Sequence, residues 1–567
     1  MADVIIAAPS HPVWQRPSLI WAGLGLCAII AALTLTPVMF IIINSFNAAS
    51  PSEDWHFGFD GWREAFGSPR TLAAIGYTFI LNLRSVVAIA VAFLFSWLLV
   101  RVRIPSRSFI EFSLWIAYFL PSLPLALSWI LLLDPNYGLI NQLMKPLGIG
   151  FNIYSLFGIA WIHLTATTIP IMTILLAPVL RQLDASLEEA ARMCGAGSWQ
   201  TFRRVLIPLL SPALFTVFLA SLIRGLEAFQ VELLLGKPIG VFVYATRIYD
   251  LIQWEPPLFP QAMALSTLFL GLLFVLALFY QRFTSKRAFA TVSARGVSFR
   301  LMDIGRVRYA IAGLLILFVA ISVYLPLAIL VVGSLMKLFG FFTIKDPFST
   351  RHWMLVLNDP VFLSAVRSSI ALGIGTASIG LFCYALIGYA LVRTKLVGRA
   401  LMNLLVWLPW AIPGILLGLA FLSLFLSAPV FSPLYGSYLG LMLVLLIKEM
   451  PIGVHMTKTA FAQIAEELEQ VGRVCGAHWF YNFRRIVVPL ISPVLVSIFA
   501  IVFMGAVRDI DTIILVGTAS TRPLSILMME YSMAGEMQAA SILGVILSLF
   551  AVVIALVSRK IGLRNAA

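Results

Sequence analysis

Apolar residues run along this chain in long blocks interrupted by short polar breaks. Reading the blocks against Gly, Pro and charged residues predicts six segments in the first half, near 19–46, 71–100, 108–133, 152–180, 206–230 and 259–280. Six more are predicted in the second, near 307–336, 361–392, 400–426, 434–457, 488–508 and 538–558. Each is of the order of the ~20 residues a helix needs to cross a hydrocarbon core. The expected fold is therefore an all-α polytopic membrane protein with about twelve transmembrane helices. The first block starts at Leu19 and is too long for a cleavable leader. Pro121 and Pro124 in the third segment, and Pro409 and Pro413 in the ninth, predict kinks.

Composition agrees. Of 567 residues, 61% are hydrophobic and 11% charged, and the mean hydropathy is +0.98. A soluble chain would carry about a quarter charged residues. The net charge of +14 suggests a nucleic-acid partner, but the basic residues are scattered through short loops rather than gathered in a patch. Their distribution follows the positive-inside rule. Arg101, Arg103 and Arg107, then Arg393, Lys395 and Arg399, then the basic stretch between Gln281 and Tyr309, and finally Arg559, Lys560 and Arg564 share one face if both termini are cytoplasmic. The opposite face receives Glu53, Asp54, Asp60 and Glu64. The four cysteines, Cys27, Cys194, Cys383 and Cys475, show no metal-binding spacing and are expected to be small buried residues in a reducing compartment.

The two halves repeat. FGFDGWREAFGSPRTLAA answers FSTRHWMLVLNDPVFLSA, Leu99-Val100-Arg101 answers Leu391-Val392-Arg393, and FLPSLP answers WLPWAIP. From Leu187 to Leu214, 14 of 28 positions are identical to Leu468–Leu495. Six segments per half give both halves the same membrane orientation, hence a parallel repeat about an axis along the membrane normal. The expected domains are 1–290, with a polar loop at 181–208, and 307–567, with a matching loop at 462–489, joined by a linker at 291–306.

That polar loop is the most informative stretch. Ser186 to Glu189 has capping-box spacing, Ala190 and Ala191 favour helix, and Gly195 suits a left-handed closing residue. Ser198 to Arg204 predicts a second short helix, and Pro208 can open the next span at its first turn. Small residues and the charges of Glu188 and Glu189 make a docking surface, with Arg203 and Arg204 anchoring it at the headgroups.

Here the sequence resembles the permease subunits of binding-protein-dependent ABC importers, whose EAA coupling motif is matched by Glu189-Ala190-Ala191, Gly195 and Val205-Leu-Ile-Pro208. The second copy departs from it. Gln470-Val471-Gly472 replaces the EAA triplet, while Glu469, Gly476 and Pro489 remain. The resemblance implies a fused permease with two type I importer domains. Its coupling helices would seat on two copies of a separate ATPase subunit, and an extracytoplasmic binding protein would deliver the solute.

The chain has no phosphate-binding loop of the G-x-x-x-x-G-K-[ST] kind, so ATP and Mg²⁺ are expected on the partner subunits and no cofactor on this chain. It is expected to be a non-enzymatic component of a bacterial inner membrane. Arg224 and Glu227, answered by Arg508, Asp509 and Asp511, lie near the ends of the fifth and eleventh segments and read either as a gate or pathway element or as a structural ion-pair set. Arg84, His163, Arg367 and the Lys448-Glu449 pair read as packing or snorkelling groups. The stretch RGLEAFQVELLLGKPIGVFVYATRIYD looks most like the ferric-iron importers, although similar permeases carry thiamine, polyamines, phosphonates or sulfate. A secondary transporter would not need twin docking loops. A membrane enzyme would need convergent catalytic groups, which the scattered histidines do not supply.

Overall fold

The computed structural model describes residues 17–48, 55–181, 190–191, 193–286, 301–394 and 398–564. Among them, ten helices are long and apolar enough to cross a membrane, and twelve spans result if each of two bent pairs counts as one. The architecture is all-helical apart from isolated bridges, as the block pattern predicts.

In chain order the elements are α1 (Pro17–Asn44), α2 (Pro69–Arg101), α3 (Arg107–Phe119), α4 (Ser122–Leu133), α5 (Leu156–Arg181), α6 (Phe202–Leu226), α7 (Gln230–Gly236), α8 (Tyr244–Ile252) and α9 (Phe259–Lys286). The second half continues with α10 (Val307–Ser334), α11 (Pro360–Arg393), α12 (Arg399–Ala411), α13 (Gly414–Ser427), α14 (Tyr438–Gln463), α15 (Glu466–Val474), α16 (Phe480–Arg508), α17 (Leu524–Ala534) and α18 (Met537–Arg564).

The third and ninth spans, whose prolines predict kinks, are broken rather than gently kinked. α3 meets α4 at 104° and α12 meets α13 at 107°. The residue before a proline is driven out of the helical region, and Leu120 (ψ 133°) and Ile412 (ψ 117°) are both extended, each followed by an extended proline, Pro121 or Pro413. The matched prolines therefore do different work. The first half breaks at the leading proline of FLPSLP and the second at the trailing one of WLPWAIP. Pro124 sits in the first turn of α4, where a missing N–H costs nothing, and Pro409 sits in the 3-10 turn that closes α12. Beyond each break the helix is buried almost all round, from Leu123 to Leu133 and from Gly414 to Phe425.

Four π-helical turns share one cause. His163–Thr168, Phe202–Leu206, Ala320–Tyr324 and Phe483–Val487 each end two residues before a proline, respectively Pro170, Pro208, Pro326 and Pro489. A proline lacks the N–H for its i−4 carbonyl and crowds that carbonyl, and a wider turn relieves both. α6 thus runs continuously from the polar-loop segment through Pro208 into the span.

By contacts the chain forms two compact units that do not coincide with the sequence halves. One comprises Met1–Ile43, Ser369–Thr521 and Ser558–Ala567, the other Asn44–Ser368 and Arg522–Val557. In the first unit, Cys27 and Ile30 of α1 join a core with Tyr384, Met402, Val454 and Val502. In the second, Ala312, Leu315 and Val319 of α10 join a core with α2, α3, α5 and α6. Each half thus contributes its first span to the core of the other. The described end of the linker is also tied down there: Met302 N donates to Arg101 O at 2.8 Å and Arg103 N to Met302 O at 3.1 Å.

Candidate functional site

The two copies of the polar loop close in the same way. Cys194 N donates to Ala190 O and Ala196 N to Ala191 O; in the second copy Cys475 N donates to Val471 O and Ala477 N to Gly472 O, all at 3.0 Å. The longer bond of each pair, closing over a left-handed residue, is a Schellman closure. Gly195 supplies that residue at φ +81° and Gly476 at φ +83°. A Cβ at either position would meet no heavy atom within 4 Å, so glycine is required by the backbone rather than by crowding within the chain.

The closure thrusts one apolar side chain outward in each copy, Met193 at 89% exposure and Val474 at 88%. Ala190, Gln470 and Val471 are exposed beside them, and Ala191 is half-buried. Pro208 and Pro489 lie exposed just after the π-helical turns of α6 and α16. Cys194 and Cys475 are exposed too, which corrects the expectation that every cysteine is buried; Cys27 is buried and Cys383 half-buried. Glu188, Glu189 and the capping-box serine lie outside the described residues.

Two residues grouped with the docking positions turn inward instead. Glu469 is 6% exposed, and Gly472 is buried where a Cβ would sit 2.3 Å from Asn482 Oδ1. Glu469 Oε1 pairs with Arg393 Nε at 3.0 Å, and Tyr389 donates its hydroxyl to Glu469 Oε2 at 2.7 Å. In the sequence Arg393 stands out only as an inside-face charge, and nothing singles out Tyr389. The usable signal was the Leu-Val-Arg repeat itself, which places an arginine at the same helix end in both halves.

Arg84, His163 and Lys448 find partners inside the protein rather than snorkelling. His163 Nε2 lies 2.8 Å from Glu232 Oε1, and Arg84 Nη2 approaches the same oxygen at 3.9 Å. Arg84 Nη1 also donates to Leu81 O at 2.9 Å. Glu232 is 1% exposed on α7, a short buried helix that lies beyond the fifth predicted segment. In the other unit Lys448 is ion-paired with Asp509 and donates to Thr512 Oγ1 at 2.7 Å. Asp509 also accepts from Thr512 N at 3.0 Å and Thr512 Oγ1 at 3.1 Å. The pattern recurs with different residues: a base on the fourth span of each half meets an acid on the segment that follows the fifth.

The two candidate gate clusters are unlike each other. Arg224 pairs with Glu227 at 3.7 Å along one helix end and is half exposed. Asp509 is 4% exposed and belongs to the Lys448 network, whereas Arg508 and Asp511 are half-buried. Arg367 is exposed.

A putative ferric transport system permease protein FbpB 1 of Haemophilus influenzae is 28% identical over 65% of this chain and 58% of its own length. The ferric transport system permease protein FbpB of Actinobacillus pleuropneumoniae is 26% identical over 70% of this chain and 57% of its own. The match thus spans little more than half the length of these two relatives. A second Haemophilus influenzae protein, the Fe(3+)-transport system permease protein FbpB 2, is 22% identical over 95% of this chain and 96% of its own. The family model for the binding-protein-dependent transport system inner membrane component matches twice, at residues 84–290 and 379–562, so this multi-pass chain belongs to that family of inner membrane permeases.

Proposed function

We propose that this chain is the membrane-spanning translocation subunit of an ATP-driven ABC importer and that its solute is ferric iron. The observation that carries the reading is the pair of equal loop closures at Gly195 and Gly476, each presenting one apolar tip and each leading without a break into a span. Two such tips suit two copies of a separate ATPase subunit. Ala190, Ala191, Gly195 and Pro208 form one coupling surface with Glu188 and Glu189, and Gln470, Gly476 and Pro489 form the other. Both termini and both loops face the cytoplasm, an extracytoplasmic binding protein delivers the solute, and ATP-Mg is held by the partner subunits alone. Domains 1–290 and 307–567 supply six spans each. Closure of the ATPase pair moves the loops and rocks the attached spans from inward- to outward-facing. Arg224, Glu227, Arg508 and Asp511 lie near the ends of the fifth and eleventh spans and form the outer gate.

Ferric iron is supported by the FbpB relatives. The test is uptake of radiolabelled ferric iron by iron-starved cells with and without the gene, before and after ATP depletion. ATP-dependent uptake lost with the gene is expected. Uptake that survives ATP depletion would overturn the ABC mechanism, and unchanged iron uptake would overturn the solute.

A further inference from the structure

The second coupling helix is joined to its neighbours in two physically different ways. Through the backbone, α15 continues from α14 and leads on to α16. Among the described residues its connection to α11 runs through side chains, with Arg393 and Tyr389 both meeting Glu469. Arg393, the last residue of α11, sets Nε 3.0 Å from Glu469 Oε1 and Nη1 3.4 Å from Glu466 Oε1. Its Nη2 donates to Ile464 O at 2.6 Å, on the residue that ends α14. One turn earlier Tyr389 donates its hydroxyl to Glu469 Oε2 at 2.7 Å. The guanidinium and the Glu469 carboxylate are each 7% exposed.

The surroundings make this joint stiff. The Tyr389 ring packs edge-on against Phe461 of α14 and Phe483 of α16, both at 5.5 Å between centroids. With Ala385, Ala460, Val487 and Ile491 these rings form a small separate core directly beneath the loop. Asn482, 3% exposed, donates to Glu469 O at 3.3 Å, and the absence of a side chain at Gly472 lets α15 rest against it. The phenol gives Glu469 a directional hydrogen bond, and the guanidinium beside it adds an ion pair shielded from solvent.

We infer that Arg393, Tyr389 and Glu469 are positioning residues that transmit displacement of the coupling helix α15 into α11, a span to which α15 has no direct chain connection. The inference rests on the importer reading above. Glu469 thereby acts inside the permease, and the outward face of α15 is left to Gln470, Val471 and Val474. A matching pair of residue types, Arg101 and Glu188, stands at the equivalent sequence positions of the first half.

The test uses the full complex with its ATPase subunits and binding protein, reconstituted in proteoliposomes and supplied with radiolabelled ferric iron. Iron transported and ATP hydrolysed are measured on the same vesicles. Glu469→Ala and Arg393→Ala are expected to lower iron moved per ATP about tenfold while ATPase activity stays within about twofold of the unmodified complex. Tyr389→Phe, which keeps the ring packing, is expected to lower the ratio about threefold. The exchanged pair Arg393→Glu with Glu469→Arg is expected to recover at least half of the original ratio. An unchanged ratio in both alanine variants overturns the inference. So does a proportional fall of uptake and ATPase in every variant without recovery in the exchanged pair, which is the signature of a merely structural or docking role. If the unmodified complex shows no ATP-dependent uptake, the importer reading fails first and the transmission role falls with it. That result is distinct from an active complex whose variants are indifferent.

Discussion

His163 Nε2 and Glu232 Oε1 lie 2.8 Å apart between α5 and α7, with Arg84 of α2 completing the group at 3.9 Å. Three elements of one unit are thereby held by a single buried carboxylate. Removing one partner of a buried ionic group leaves the others uncompensated, at a cost of about 3–5 kcal/mol. Glu232→Ala is expected to lose stability of that order, and Glu232→Gln, which can still accept from His163, about half as much. Thermal unfolding midpoints of the detergent-solubilised protein check the ranking, and equal midpoints for all three proteins would remove the group from any structural role.

Lys448 and Asp509 answer that group in the other unit, with Thr512 bridging them. A double-mutant cycle with Lys448→Met and Asp509→Asn is expected to show a coupling free energy of about 0.5–3 kcal/mol, because the residues are in contact and share Thr512. Additive effects on unfolding would mean that each side chain acts alone.

Gly195 and Gly476 are needed for their left-handed backbone and have open space around them. Alanine there costs about 1–2 kcal/mol of local strain, so Gly195→Ala is expected to insert and fold with modest loss. Gly195→Arg carries the same backbone strain and starts its side chain in open space, so its further effect falls on the partner: co-purification of the ATPase subunit is expected to fall at least tenfold. Retained association would argue against this surface as the docking site.

Gly453 presents the opposite case. A Cβ there would lie 2.1 Å from Tyr384 Cδ2, and the Tyr384 hydroxyl is already committed to Leu446 O at 2.6 Å. Close approach of α11 and α14 therefore depends on this glycine. Overpacking of this kind costs about 1–3 kcal/mol, so Gly453→Ala is expected to lower the unfolding midpoint while leaving ATPase association intact, the reverse of Gly195→Arg.

Tyr154, in the loop between α4 and α5, has its phenol pushed up to about 12, first by burial and then by the charge of Asp134. A raised phenol favours the neutral form in the folded protein. Its contribution is therefore complete below the ordinary value near 10 and is lost as pH rises from there through about 12. Tyr154→Phe is expected to flatten the alkaline fall in stability across that window. A variant that loses stability with the same alkaline slope would show that another group controls it.

Much of this protein is written locally. A block of ~20 apolar residues specifies a spanning helix almost regardless of its neighbours, because an unsatisfied backbone is intolerable in lipid. The duplicated sequence specifies the two loops, and a glycine after a run of helix formers specifies the left-handed closure found at φ +81° and +83°. What the sequence left open depended on partners far along the chain. FLPSLP and WLPWAIP announce bends, but the bends of 104° and 107° place α4 and α13 in largely buried positions that neighbouring helices create. α7, α8 and α17 are too short to be read as spans, and burial by other elements makes them part of the core. Glu469 and Gln470 are adjacent polar residues in the same motif, yet one is sealed against Arg393 and the other faces outward. That difference arises because Arg393, 76 positions away by the numbering, ends its helix beside the loop. Local composition determines which segments cross the membrane; the meeting of distant side chains in a low-dielectric interior decides which charges are structural and which remain available to a partner.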